Sequence, residues 1–516
     1  MKNPPQSVAP SGPLKFKRSE HFIHYDALRP PYWLWYGYVV AIALYGVLFT
    51  FCQTEPVPFS VHIMGVSLAA ACFFPLALWI SRGRRGLPMF ELICMAYLLA
   101  LGLPLYLQTN SLIIMSTHVQ FSWDQTFEAL WIANLGVVAM IAGYMATVNM
   151  PRLRLLPKLD LPLDSSRFRI YAKVSVFAGS FIISLDALNI PLLGGGAAGI
   201  LRLLFSQIYL SIILLAYRIF QKTAASEEKL LFWFAVFVAG SHGLASGMVE
   251  VAMIPLVLII LVRWHVTQRL PFGALFICLC LFFLLSSTKD DFRRISWYNA
   301  EKISFSERIS LWVGLGQSAA EDSVTGTTSH EDAIGASSDS TWRRSLQRFD
   351  LLHQFIYIRD LTPYSVPFFG GSTYTYLFYG WIPRFIWPDK PVASTAQDDL
   401  AIAYRFMPEE DKGKYSIGTG FLPEAYANFG SWGVPCVMVV QGVFLAFVNM
   451  LLNGPNSQGG RAIYLSVMIY FINGIGAGTA LTFSAILPGI VGSALLLRPC
   501  AKGWSALSNR MRVGHV

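Results

Sequence analysis

The polar chemistry of this 516-residue chain is crowded into one stretch, 287–432, which holds 14 of its 39 Lys and Arg and 18 of its 30 Asp and Glu. Inside it, residues 342–360 (WRRSLQRFDLLHQFIYIRD) read as an amphipathic helix. Arg344, Arg348, Leu352, Phe355 and Arg359 recur at helical spacing and share one stripe of its surface. Apolar stems and rings on such a stripe suit the headgroup boundary of a membrane, while guanidiniums meet phosphate. A planar fork of five donors is well suited to a diphosphate. A solvated surface helix with incidental arginines is the alternative. Arg293 and Arg294, Arg384 between Pro383 and Pro388, and Lys390 are further cations of the stretch. Glu424 sits among apolar and aromatic neighbours, either as a working carboxylate or as a helix-start or arginine partner. Lys289-Asp290-Asp291 could hold a divalent cation with phosphates, but more often such a pair is a solvated helix end, and no metal site is expected.

These residues need elements to hold them, and composition says which. The chain is 54% hydrophobic and 13% charged, with a mean hydropathy of +0.50. Soluble domains carry about 25% charged residues, so a soluble enzyme, a nucleic-acid module and a disordered chain are excluded. The expected fold class is an all-α polytopic membrane protein with about twelve transmembrane helices. Apolar runs fall near 33–51, 61–80, 88–108, 127–148, 170–188, 200–217, 230–246, 248–262, 271–286, 433–452, 462–478 and 481–497. The pair within 230–262 has a very short connection. Nine spans in 33–286 and three in 433–497 thus flank one large loop, 287–432, with tails at 1–32 and 498–516.

The net charge of +9 follows topology and does not call for nucleic acid. Segments on the side of the N-terminal tail carry 24 Lys and Arg, whereas the short opposite loops, 52–60, 109–126, 189–199 and 479–480, carry none. Both termini are therefore expected in the cytoplasm and the large loop outside. The basic, Pro-rich 1–32 lacks the apolar core of a removable signal. The seven cysteines are scattered, mostly in apolar runs, and form neither a disulfide framework nor a metal spacing.

Within the loop, 317–341 is small, polar and acidic and is expected to be a disordered insert. Residues 367–391 are too broken by Gly and Pro for a spanning helix, yet too aromatic for a free loop. Tyr374, Tyr376, Tyr379 and Trp381 suit the stacking of sugar faces and equally suit an interfacial belt. Arg202, Asp186, His242 and Glu250 lie near span ends and are candidates for function or for shallow solvation.

The late dominant loop, the segment IPRFIWPDKP and the entry GFLPEAYANFGSWG into a span resemble the oligosaccharide repeat-unit polymerases, the Wzy-type O-antigen and exopolysaccharide polymerases. The resemblance covers roughly 230–500. One departure is plain: members often carry Gly-Ser-Arg before the large loop, and this chain has Gly240-Ser241-His242. The family is similar to the GT-C-like, metal-independent membrane glycosyltransferases. It implies transfer of a growing glycan from undecaprenyl diphosphate to a new lipid-linked repeat on the periplasmic face of a bacterial inner membrane. It also implies no cofactor and a chain-length regulator as partner.

On that reading Arg348, Arg359 and Arg384, then Arg344, Arg293 and Arg294, neutralise the leaving diphosphate. Glu424, or else His353, takes the acceptor proton, and Tyr376 and Trp381 bind sugar. An O-antigen ligase is the nearest rival, but its loop histidine before a span has no counterpart in 418–433. A lipid-linked oligosaccharide flippase would place charges along several spans.

Overall fold

A computed structural model describes residues 32–501 apart from 84–85, 116, 156–157, 160, 188–197, 298–303, 326–348, 380–381, 383–385, 388, 393, 414–415 and 455–456. Sixteen helices are named among the described residues. The first nine are α1 (Tyr32–Cys52), α2 (Phe59–Ser81), α3 (Met89–Leu107), α4 (Trp123–Asn149), α5 (Ser165–Ala187), α6 (Ala198–Phe220), α7 (Ser226–Ala245), α8 (Val249–Thr267) and α9 (Phe272–Trp297). Then come α10 (Phe305–Thr325), α11 (Leu352–Leu361), α12 (Ser372–Tyr379), α13 (Thr395–Ala403), α14 (Phe421–Leu452), α15 (Gln458–Ala477) and α16 (Thr479–Leu497). One small antiparallel hairpin, β1 (Ser111–Ile114) with β2 (Thr117–Gln120), departs from the all-helical expectation.

Ten of these helices are long and apolar enough to cross a membrane, which makes the chain a multi-pass membrane protein. Twelve were expected. Helices α7 and α9 are not among the ten. Helix α7 opens with Glu227, Glu228 and Lys229, and the described apolar stretch of α9 covers Phe272–Ser286. Both still run level with spanning neighbours. Arg169 on α5 donates from Nε to Glu228 at 2.9 Å, and the Phe177 and Phe234 rings meet two turns further on. Lys289 on α9 reaches Glu250 at the start of α8 at 3.1 Å, so that pair is antiparallel.

The bundle has two distinct ends. At the basic end the connections bond one another: Leu159 N–H to Leu451 O, Gly459 N–H to Leu161 O and Asp164 N–H to Cys500 O. The other end carries the β-hairpin. There Ser122 and Gln125 form a reciprocal capping box at the start of α4, which satisfies two donors that a helix start otherwise leaves bare.

The centre of the bundle is the seam between α4 and α14, which run parallel. A Cβ at Gly442 would lie 2.0 Å from the Met140 carbonyl oxygen, and one at Gly143 would lie 2.6 Å from that of Val439. Backbones approach this closely only across residues without side chains, which is how helices associate where lipid supplies no hydrophobic drive. Helix α14 also starts twelve residues before the expected 433. It kinks at Gly430 (φ 69°) and adds a first segment from Phe421. Left-handed backbone at a bend is a glycine's role.

Two loop expectations change. Helix α10 runs to Thr325, so the first residues of the 317–341 insert are helical. The expected 342–360 helix is also not helical at Phe349, Asp350 and Leu351, and its described helical part is Leu352–Leu361. Residues 326–348 lie outside the described set.

Filling the central seam should break it. Gly442→Val is expected to destabilise the protein by about 1–3 kcal/mol or more, the usual cost of overpacking. Gly489→Ala, where an added Cβ meets nothing within 4 Å, should be far milder. Thermal unfolding of both variants in detergent checks this.

Candidate functional site

The first turns of α14 place a carboxylate where it cannot reach water. Glu424 is 1% exposed. Its Oε1 accepts from Thr373 Oγ1 at 2.9 Å, and its Oε2 accepts from the Thr479 N–H at 2.7 Å. Thr479 is the first residue of α16, so Glu424 caps that helix as well as lying in the first turn of its own. Two positive helix ends therefore face one acid. Asn428, one turn on, shares its helix face. Its Nδ2 donates to Thr373 Oγ1 and to the Glu424 carbonyl, both at 2.8 Å, and its Oδ1 accepts from the Gly371 N–H at 3.0 Å. The network thus joins α12, α14 and α16.

Near this acid lie buried polar atoms without a regular hydrogen bond among the described residues: Tyr374 Oη, Thr419 Oγ1, Thr479 Oγ1 and Asp398 Oδ1. The Thr479 hydroxyl still interacts with both Glu424 and Tyr374. Burial, and then the charge of Glu424, push the Tyr374 hydroxyl well above its ordinary pKa, so it stays a neutral donor. Gln397, next to Asp398, donates to the Ala477 carbonyl, and its Oε1 accepts from Ser416 at 3.3 Å. Buried polar groups are normally satisfied. Four incompletely bonded atoms gathered on segments that meet at one carboxylate mark a place for water or a polar ligand.

Aromatic rings lead away from it. Tyr374 stacks on Phe429 with centroids 5.8 Å apart. Tyr376 meets Tyr379 edge to face at 5.8 Å, and Tyr379 meets Trp387 at 5.4 Å. Tyr376 donates to Asp399 Oδ2 at 3.3 Å, and Lys412 bonds Asp399 Oδ1 at 2.6 Å. The Asp399 hydrogen bond holds the Lys412 ammonium above its ordinary pKa. The rim therefore carries rings beside a charged pair. Trp381, expected beside Tyr376, lies outside the described residues.

His353 is buried on α11, and its Nδ1 lies 2.7 Å from Asp350 Oδ2, whose other oxygen accepts the His353 N–H at 3.0 Å. A carboxylate on Nδ1 fixes the ring and its tautomer. Phe121 covers the ring at 6.0 Å. Helix α11 packs on the first segment of α14 through Phe355 and Tyr426, at 5.7 Å. His353 and Glu424 thus sit on adjoining elements without touching.

The arginines divide. Arg359 pairs with Glu128 and donates to the Gln125 carbonyl at 3.3 Å, tying α11 to the start of α4. Arg293 donates to the Gly247 carbonyl at 3.2 Å. With Arg308 on Ala245 and Trp312 on Leu244, it covers the carbonyl end of α7, where cations oppose the negative helix end. Arg294 is exposed and within 3.5 Å of Asp291. Arg344, Arg348 and Arg384 lie outside the described residues. The described candidates therefore do not converge into one cationic cluster. Of the span-end groups, Glu250 holds Lys289 and His242 meets the Phe205 ring at 5.2 Å.

With this geometry in view, one family covers the chain: the family described as Domain of unknown function (DUF8712) matches residues 129–475, well over half of its length. The chain belongs to that family. The matched region takes in Glu424, Thr373, Asn428 and His353, and stops just short of Thr479. No curated protein and no solved structure matches the chain.

Sequence reasoning singled out Glu424 but not the groups that bond it. Asn428 was within reach, four residues on. Tyr374 was read as a ring for a sugar face or an interface, not as a hydroxyl beside the acid, and nothing local marks Thr373, Asp398 or Thr479, which are distant in sequence and ordinary in type. Thr373→Val should unsatisfy both Glu424 and Asn428 and cost about 1–3 kcal/mol. Thr373→Ser, which keeps the hydroxyl, should stay near the parent in thermal unfolding.

Proposed function

We propose that this family member is a membrane glycosyltransferase of the repeat-unit polymerase kind, extending a glycan carried on undecaprenyl diphosphate at the outer face of a bacterial cytoplasmic membrane. The observation that carries the reading is the buried Glu424 carboxylate, with incompletely bonded polar atoms near it and aromatic rings on the adjoining helix α12. A sugar needs both: donors and acceptors for its hydroxyls, and flat apolar faces for its ring.

In this scheme the acceptor hydroxyl attacks the anomeric carbon of the lipid-linked donor. The new carbon–oxygen bond forms as the bond to the lipid diphosphate breaks, and the hydroxyl proton passes to Glu424. The diphosphate leaves with its electron pair and needs cations. Arg348 and Arg384 are assigned that task. Arg384 follows five residues after α12, the helix that bears Thr373. Arg359, Arg293 and Arg294 already have protein partners and stand behind those two. His353, oriented by Asp350, is the second candidate base.

The topology is read with α7 and α9 as crossings, which puts both termini and the basic end in the cytoplasm and residues 287–432 outside. A chain-length regulator is the expected protein partner. A purely structural use of Glu424, capping α16, is the second reading, favoured by its two accepted bonds.

Glu424→Gln separates the two. An amide can still accept from Thr479 but cannot take a proton. In the producing cell, Glu424→Gln should reduce long glycan ladders on a gel to single-repeat product, with unchanged protein level and unfolding temperature. Normal ladders would overturn the assignment. Loss of protein together with activity would support the capping role. Full-length glycan left on the lipid carrier after deletion of the gene would point to a ligase instead.

A further inference from the structure

At the basic end of the bundle, far along the chain from the acid at Glu424, a cavity of about 560 Å³ opens between α5, α6 and the end of α16. Its α5 wall is Arg167, Ile170, Tyr171, Val174, Ser175 and Ala178, one face of a helix repeating every three to four residues. Eleven steps of 1.5 Å from Arg167 to Ala178 make it about 16 Å long. That is about half of a 30 Å hydrocarbon core, or one leaflet. Leu204 and Leu496 line the other sides. Ile170 and Val174 are 65% and 62% exposed, so the groove faces the surroundings of the bundle.

The two ends of this groove differ. Its depth is apolar apart from Ser175, which bonds Ser211 at 2.6 Å, and from Tyr171 and Gln207, which bond each other at 2.9 Å. Its mouth carries Arg167. That guanidinium donates from Nη1 to the Pro499 carbonyl at 3.3 Å and lies 4.0 Å from Asp164. Asp164 is itself engaged by the Ser166 hydroxyl at 2.9 Å. The neighbouring cations are already committed, Arg169 to Glu228 and Lys173 to Glu227. Among the described residues that line the cavity, Arg167 is thus the cation, and it has donors to spare.

We propose that this groove binds an anionic phospholipid, one acyl chain lying along the α5 stripe and the phosphate meeting Arg167. A slot one leaflet deep, apolar inside and cationic at its rim, has the charge and length of that molecule. A free phosphate would gain nothing from the apolar wall. The proposal does not depend on the glycosyltransferase reading, since it concerns a different surface and uses none of its residues.

The test uses the full chain in detergent, with bound lipid counted by native mass spectrometry and stability followed by thermal unfolding. Dioleoyl phosphatidylglycerol, dioleoyl phosphatidylcholine and inorganic phosphate are the probes. Phosphatidylglycerol should be retained about fivefold better than phosphatidylcholine, the size of one cation's contribution near a headgroup. It should also raise the unfolding temperature, while phosphate has no effect. Arg167→Gln should abolish the preference between headgroups. Ala178→Trp should fill the slot and lower retention of both lipids. Equal retention of the two lipids by the parent, or an unchanged preference in Arg167→Gln, overturns the proposal. Stabilisation by phosphate alone overturns it as well, in favour of a simple anion contact.

Discussion

A carboxylate withdrawn from water must find donors, and the way Glu424 finds them organises the polar heart of this molecule. A bare charge at such a place would cost several kcal/mol. Its two oxygens draw in one hydroxyl, from Thr373, and one backbone amide, from the start of α16. Each of those groups lies more than fifty residues from Glu424 in the chain. Three helices with no sequence relation are thereby held at one point. Asn428 completes the arrangement by occupying the other side of Thr373 and fixing the turn at Gly371.

That point is held in place by the seam beneath it. Helices α4 and α14 meet backbone to backbone across glycines, and their contact sets the height of everything that α14 carries at its start. The bend at Gly430 then turns the first segment of α14 away from the seam and toward α11 and α12. From the other side, the capping box at Ser122 starts α4 beside Gln125, whose side chain bonds Asp360 and whose carbonyl accepts from Arg359. The helix bearing His353 is thus moored to the same pair of spans as the acid.

Such an arrangement accounts for why a membrane protein would keep unsatisfied polar atoms inside. Tyr374, Thr419, Thr479 and Asp398 each carry a desolvation cost that no regular hydrogen bond among the described residues offsets. On the proposed reading, a substrate with several hydroxyls makes the bonds that the protein leaves open here. The contrast with the cations is instructive. Arg293 and Arg359 serve helix ends and helix joints, where the carbonyl and carboxylate partners are fixed in advance.

The membrane class, most of the helices and the uneven charge between the two ends were legible in the sequence. They depend on local composition and on a length set by the bilayer, and neither requires knowledge of distant partners. Glu424 and His353 were visible for the same reason, whereas the Asp350 partner of His353 was shown by the structure. Other features were settled only by the tertiary structure. The tenth span begins earlier than its apolar run because Gly430 bends it without ending it. Arg359, read as free to meet phosphate, is instead paired across helices with Glu128. The partners of Glu424 come from 373 and 479, brought together by packing, and no periodicity in a single segment encodes which distant hydroxyl a buried acid will meet.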